Sequence, residues 1–421
     1  GVCLHLVQVE ETPSDFFNRN SRNYRSGVQN IVLEGNKMNN LDDKILMIEN
    51  KIDDVDSKMV ELLEKRLKLS GEEALLKKER GMPVPDLVRV RTKTEKLVAD
   101  AREDMAHYRK LCYMALNELT YDYQRRVTLP ESEIYKSVKN ALEQGFKSFP
   151  EKAVVACQGV QGAYQQKACD KLFSMPKIIY MKNFNGVFAA VDKGLCRYGV
   201  LPLENSTAGS VNSVYDLLSK YKCYIVRSVR LKIDHSLLAK KGTKIEDIKE
   251  IFSHEQAILQ CEDYLKNFTD AKVTVCSNTA EAAELVAKSE RNDVAALASY
   301  ECIELYGLRC LEESVQDNGN NYTRFICISK ELEIYPGAGK TSLMFTASHK
   351  PGSLYNILAR FYALDINIQK IESRAIPNRD FIYRFYFDIE ADIYSEKFAN
   401  LMNQVQELSK DMCYLGSYVE V

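Results

Sequence analysis

Between residues 41 and 79, apolar side chains recur at Ile48, Ile52, Val55, Met59, Leu62 and Leu69, in alternating steps of four and three with one skipped position. That spacing predicts one uninterrupted amphipathic helix, ended by Gly81 and Pro83. At 1.5 Å per residue the helix runs about 60 Å, far beyond the width of a small domain, so one copy cannot bury its own stripe. An all-helical region follows, in which two chains intertwine as a dimer. Further helices are expected from Asp86 and over Asp104–Gln124, which makes 41–126 the helical domain.

At 421 residues the chain has room for several domains. Residues 1–40 are rich in Asn, Arg, Ser and Glu without a sustained period and read as a flexible tail. The stretch 127–151 reads as a linker with one short helical pattern. Region 152–330 alternates short β-rich runs (Ala153–Cys157, Lys177–Met181, Tyr198–Leu201, Lys272–Cys276, Val294–Ala298) with helix-like sequence, which is α/β logic. Residues 341–421 carry β-α-β-β-α-β spacing, the order of a small ferredoxin-like α+β module.

Lys+Arg 57 against Asp+Glu 59 gives a formal charge of −2, which argues against nucleic acid or a membrane surface as partner. No apolar run approaches the roughly 18 residues of a membrane helix, and Val2–Val7 lacks the flanks of a secretory signal. Twelve cysteines contain no Cys-x-x-Cys pair and accompany only five histidines. They read as small buried hydrophobes in a reducing, cytoplasmic setting, with no metal site. Gln158-Gly159-x-x-Gly162-Ala163-Tyr164 lacks the GxGxxG spacing, so no nucleotide or other cofactor is expected.

In the helical domain Arg66 fills the skipped position of the stripe, and Lys77 lies eleven residues later on nearly the same face. A guanidinium there needs an anionic partner. Thr120 and Gln124 form an i,i+4 polar pair on the third helix. A solvated face or an internal ion pair would give the same pattern. In the α/β region, Pro202-Leu203-Glu204-Asn205-Ser206-Thr207-Ala208-Gly209-Ser210 follows a strand. Ser253-His254-Glu255-Gln256 and Asn278-Thr279-Ala280-Glu281 both fit capping boxes. Converging helix N-termini suit a carboxylated ligand.

Ile52-Asp53-x-x-Asp56, Leu62-Leu63-x-x-Arg66, Lys77, Pro83-Val84-x-Asp86-x-x-Arg89 and Thr120-x-x-x-Gln124 together resemble the helical chorismate mutase domain. The resemblance implies that Arg66 and Arg89 bind the carboxylate region of a dianion. It implies that Lys77 and Gln124 bracket the ether oxygen, and that Asp86 and Thr120 make polar contacts. A pericyclic rearrangement needs no nucleophile or metal, only a held conformer and stabilised charge. Two positions depart from the family: Glu49 stands where an Arg reaches the partner subunit's site, and Val90 where a Glu is usual.

The α/β region closely resembles prephenate dehydratase. The matching elements are Gly159-x-x-Gly162-Ala163-Tyr164, Pro202-Leu203-Glu204-Asn205-Ser206-x-x-Gly209-Ser210, Ser253-His254-x-Gln256-Ala257, Leu305-Tyr306-Gly307-Leu308 and Gln316-Asp317-x-x-x-Asn321-Tyr322-Thr323-Arg324-Phe325. The implied fold is two α/β lobes around a cleft, like periplasmic binding proteins. Thr323 is implied at the leaving hydroxyl, as a hydrogen-bond donor or as a proton relay with Glu204 or His254. Asn205, Ser206, Thr207, Gln256 and Asn321 are implied as carboxylate or hydroxyl contacts. Arg324 would supply charge or a structural ion pair, and His254 a substrate contact or only a capping-loop role. Gln165 stands where the family usually has Ser.

Lys350-Pro351-Gly352-Ser353-Leu354-Tyr355 and Asn367-Ile368-x-x-Ile371-Glu372-Ser373-Arg374 resemble the ACT domain attached to these dehydratases. That implies phenylalanine as effector at a paired interface, with Gly352, Ser353, Leu354, Asn367, Glu372, Ser373 and Arg374 shaping the site. Ala375 replaces the usual Pro. The expectation is thus a homodimer or homotetramer with three folded parts, converting chorismate to prephenate and prephenate to phenylpyruvate under phenylalanine feedback. Two rivals are a dehydratase whose helical domain only dimerises, and a non-catalytic sensor of carboxylated metabolites.

Overall fold

The computed structural model describes residues 40–84, 86–128, 132–347, 352–376 and 382–421. Residues 1–39 of the expected tail, 129–131 of the expected linker, and Lys350 and Pro351 of the regulatory motif lie outside them. The chain divides into two compact units, residues 1–128 and 129–421.

The first unit holds α1 (Asn40–Glu79), α2 (Leu87–Ala99) and α3 (Glu103–Thr128). Asp86 caps α2 by accepting the Arg89 N–H. The C-terminal half of α1 packs on α3, burying Ser70, Ala74, Asn117 and Gln124. Toward its N-terminus the helix leaves Ile48, Ile52, Val55 and Met59, and beyond its midpoint Leu62, each more than half exposed. The stripe is not buried by its own chain, as its length requires.

The second unit opens with α4 (Glu133–Glu143), in the stretch expected to be linker. Val138 and Ala141 are fully buried among Phe345, Phe398 and Leu401, so this helix belongs to a core. The first lobe contributes β1 (Lys152–Gln158), α5 (Tyr164–Leu172), β2 (Met175–Met181), α6 (Phe184–Asp192), β3 (Tyr198–Asn205), β4 (Gly209–Ser210), α7 (Asn212–Lys220) and β5 (Tyr224–Lys232). The chain then crosses to a second lobe of β6 (Ser236–Ala239), β7 (Glu250–His254), α8 (Glu255–Gln260), β8 (Lys272–Cys276), α9 (Thr279–Lys288), β9 (Val294–Ala298) and β10 (Arg309–Glu312). It returns to the first lobe as β11 (Tyr322–Ser329). β3 and β9 are buried almost throughout, which is why both read as continuous apolar runs.

The C-terminal module is β12 (Lys340–Ala347), α10 (Ser353–Ala363), β13 (Asn367–Ala375), β14 (Tyr383–Glu390), α11 (Glu396–Leu408) and β15 (Ser409–Glu420), the βαββαβ order expected. Its sheet continues into the first lobe in the order β13-β14-β12-β15-β5-β11-β3-β1-β2, with β4 beside β3. The join is short: β15 lies parallel to β5 at Val419↔Arg227 and Glu420↔Ser228. The second lobe is a separate sheet, β10-β6-β9-β7-β8. No helix among the described residues is long and apolar enough to cross a membrane.

Candidate active site

A cleft of about 430 Å³ lies between the lobes of the second unit. The starts of α5 (Tyr164, Gln165), α6 (Asn183, Phe184), α8 (Gln256, Ala257) and α9 (Asn278, Thr279) line it, with Val211 just ahead of α7. Asn183 and Asn278 cap their helices through the N–H groups of Gly186 and Glu281. The caps of α5 and α7, Ala163 and Val211, supply no side-chain acceptor, so first-turn N–H groups there are left for a ligand. Gly162 sits at φ +88 beneath this wall, and a Cβ would come within 2.9 Å of Leu305. That explains the glycine in the Gly-Ala-Tyr element.

One chain of hydrogen bonds crosses the floor, and its direction can be deduced. The Asn205 Oδ1 accepts the backbone N–H groups of Thr207 and Ala208 at 2.9 and 2.8 Å. Backbone N–H can only donate, so the Asn205 amide nitrogen must face the other way. It donates to Asn321 Oδ1 at 2.7 Å and to Thr323 Oγ1 at 2.9 Å. Asn321 Nδ2 then donates to Gln260 Oε1 at 2.9 Å, and the same oxygen faces His235 Nε2 at 3.0 Å. His235 is therefore protonated on Nε2, and its buried Nδ1 carries a lone pair without a partner. At the other end, the Thr323 oxygen already receives a hydrogen bond, so its own proton is free to be donated into the cleft.

Asn205, Thr323, His254 and Gln256, all expected at the substrate, line this cleft together. Glu204 and Arg324 do not. Successive strand residues face opposite sides, so Asn205 and Thr323 turn to the cleft while their neighbours turn to the back. There Arg324, 3% exposed, pairs with Glu204 at 2.6 Å and Asp388 at 2.5 Å, and Glu204 also pairs with Lys370. The ion-pair alternative for Arg324 is the one observed. Ser206 ties the loop instead, donating to the Asn320 carbonyl and accepting the Tyr322 N–H. Thr207 holds Asn205 through its backbone and lines a small adjoining hollow with Gln260 and Asn321. Asn321 lies behind Asn205, 1% exposed, as a support.

The capping reading at Ser253 shifts by one residue. Ser253 is buried in β7 and donates to the Leu297 carbonyl, and His254 Nδ1 accepts the Gln256 N–H. Burial lowers the pKa of both His254 and His235, so both favour the neutral form. Burial also pushes the Tyr164 phenol well up; its hydroxyl bonds the Asp234 carbonyl and its ring stands edge-on to His235. His235, Gln260 and Lys182 line the site but stood out in no motif. His235 sits just where the chain crosses between lobes, the position that could have marked it.

In the first unit the expected mutase groups fall in two clusters. Arg66 reaches Thr120, Asn117 and the Leu116 carbonyl, neutral partners where an anion was expected. Gln124 donates to the Ser70 carbonyl at 3.2 Å and keeps a buried Oε1 without a partner. Lys77 and Arg89 both pair with Glu73 at 3.1 Å, and Asp86 acts as the α2 cap. Lys77 and Glu73 line a hollow of about 440 Å³.

The regulatory residues divide by the same alternation. Glu372 accepts the Ser210 hydroxyl at 2.6 Å and Arg374 pairs with Asp216 at 3.3 Å, so both face the dehydratase lobe. Ser373 is exposed between them, and Asn367 bonds Glu390 at the strand start. Gly352, at φ +81, begins α10 with Ser353, while Leu354 packs toward the module's core.

Residues 155–333 match the family described as prephenate dehydratase, and residues 48–125 that described as chorismate mutase type II. The chain is 30% identical over 388 residues to a bifunctional chorismate mutase/prephenate dehydratase of Enterobacter agglomerans, covering 90% of this chain and 97% of that one. It is 37% identical over 281 residues to arogenate dehydratase 2 of Petunia hybrida, covering 63% and 71%. The structure of a prephenate dehydratase from Arthrobacter aurescens in complex with L-Phe superposes with a TM-score of 0.58 at 27% identity, covering 63% and 90%.

Proposed function

The chain belongs to the bifunctional chorismate mutase/prephenate dehydratase family, and on that premise we infer that the cleft between its two α/β lobes is where prephenate becomes aromatic. The helical domain is a chorismate mutase and the two-lobed domain a prephenate dehydratase. Together they convert chorismate to prephenate and prephenate to phenylpyruvate in phenylalanine biosynthesis.

In the second step the ring carboxylate leaves as CO2, its bonding electrons move through the diene, and the hydroxyl at the far ring carbon departs with a proton as water. The observation that carries the assignment is the forced polarity of the Asn205–Thr323 pair. An oriented donor at the departing oxygen, where charge develops, is what this reaction needs. Helix starts and Lys182 supply positive potential for the two carboxylates.

In the mutase domain, Arg66 and Arg89 would take the carboxylates, and Lys77 and Gln124 the ether oxygen, with Asp86 and Thr120 in support. Binding then requires the dianion to displace Glu73 from Lys77 and Arg89. The exposed stripe of α1 supports a second copy as its partner, hence a dimer at least. The βαββαβ module is read as an ACT domain sensing phenylalanine around Gly352, Ser353 and Asn367. The eleven described cysteines are free, which suits a cytoplasmic enzyme.

Product analysis of purified protein given chorismate or prephenate, each with and without phenylalanine, tests the whole reading. Prephenate aromatising no faster than in buffer would end the dehydratase assignment. Chorismate left unconsumed would leave the helical domain as a dimer scaffold, the second reading that Glu49 and the Glu73 ion pairs favour.

A further inference from the structure

We propose that the cleft selects a cyclohexadienyl substrate with a 2-oxo acid side chain over its 2-amino counterpart, and that Lys182 is the discriminating residue; this rests on the dehydratase reading of the same cleft. The relatives include enzymes named for each substrate, prephenate and arogenate, so what sets the preference within this cleft is a question for its own residues. The two molecules share the ring, its hydroxyl and both carboxylates. They differ in one group: the oxo acid is a dianion, while the amino acid carries an ammonium and so one net negative charge fewer.

Both carboxylate-bearing substituents sit on the ring carbon opposite the hydroxyl. With the hydroxyl at Thr323 on β11, a substrate laid along the strand order β11-β3-β1-β2 would carry them across β3 and β1 toward β2. Three strand spacings amount to about 14 Å, and a lysine stem at the far end covers part of that gap. Lys182, the first residue after β2, stands there. It is the one Lys or Arg among the cleft-lining residues, none of which is Asp or Glu. It is exposed and forms no ion pair among the described residues.

Three of the acceptors on this wall are already engaged. Asn183 Oδ1 takes the Gly186 N–H at 2.9 Å, Asn278 Oδ1 the Glu281 N–H at 2.8 Å, and Gln158 Oε1 the Gln165 amide at 3.0 Å. The one charged side chain lining the cleft is the Lys182 cation. The extra negative charge of an oxo acid is matched by it. An ammonium meets a like charge there.

The test is kcat/KM for prephenate and for arogenate, measured on full-length wild type, Lys182→Met and Lys182→Arg. Wild type should prefer prephenate by about tenfold or more, the scale of one well-placed charge. Lys182→Met should lose about tenfold on prephenate, mainly through KM, and clearly less on arogenate, whose ammonium offsets part of the lost attraction, so the preference narrows. Lys182→Arg should keep the preference, which separates lost charge from lost folding. Equal or better use of arogenate by wild type, or equal losses on both substrates in Lys182→Met, overturns the proposal. Turnover of neither substrate by wild type overturns the dehydratase reading beneath it.

Discussion

The Asn205 amide donates to Thr323 Oγ1 at 2.9 Å, and the two backbone N–H groups on its own carbonyl oxygen prevent it from turning round. Thr323 thereby keeps its own proton to donate into the cleft. Thr323→Val keeps the shape and removes the proton, so kcat on prephenate should fall about 10²–10³-fold with KM little changed. Thr323→Ser should retain most of the rate. Steady-state kinetics on the two variants checks this, and a Val variant near wild-type rate would refute it.

Asn205→Asp replaces the donor by a second acceptor. Its carboxylate would then face Asn321 Oδ1, 2.7 Å away in the wild type, and Thr323 would lose its fixed orientation. The expected cost is about 1–3 kcal/mol of stability, seen as a lower thermal midpoint, together with a large drop in kcat. An unchanged midpoint would mean that the polarity is not enforced.

Burial depresses the pKa of His235 and His254 below the ordinary 6.5. As pH falls, the unfolded chain takes up these protons before the folded one. Stability is therefore full above about 6.5 and drains as pH drops toward the lower folded values. Asp234 beside His235 opposes the shift and His254 reinforces it. Thermal midpoints measured at about pH 7.5, 6 and 5 should fall more steeply for wild type than for His235→Gln. Parallel curves would count against a neutral buried His235.

Arg324 links Glu204 and Asp388 at the back of the active-site strands, where all three are largely shielded from water. Arg324→Leu strands the Asp388 carboxylate, leaves Glu204 with Lys370 alone, and should cost about 3–5 kcal/mol. Arg374→Ala breaks a pair with the half-exposed Asp216 and should cost less than about 1 kcal/mol. Comparing the melting of the two proteins distinguishes a buried junction from surface decoration.

Periodicity made much of the fold legible. The steps of four and three set α1 to within a residue, and short apolar runs between helix-like stretches marked β1, β2, β3, β8 and β9. The same residues were less readable as a site. Pro202–Ser210 looks like one linear cluster, yet the pleat sends Asn205 to the cleft and Glu204 to Arg324. Thr323 and Arg324 part in the same way. His235, Gln260 and Lys182 are isolated in sequence, and only the crossing between lobes and the order of the strands bring them together. No local spacing encodes such neighbours.

The two-residue pairing of β15 with β5 makes the regulatory module and the first lobe a single plate. From β13 the hydrogen-bonded strand order runs without a break to β11 and β3, which carry Thr323 and Asn205. The second lobe is joined to this plate by the two crossings at 233–235 and 313–321. One of those crossings holds His235, so a link between the lobes and the floor of the cleft share a side chain.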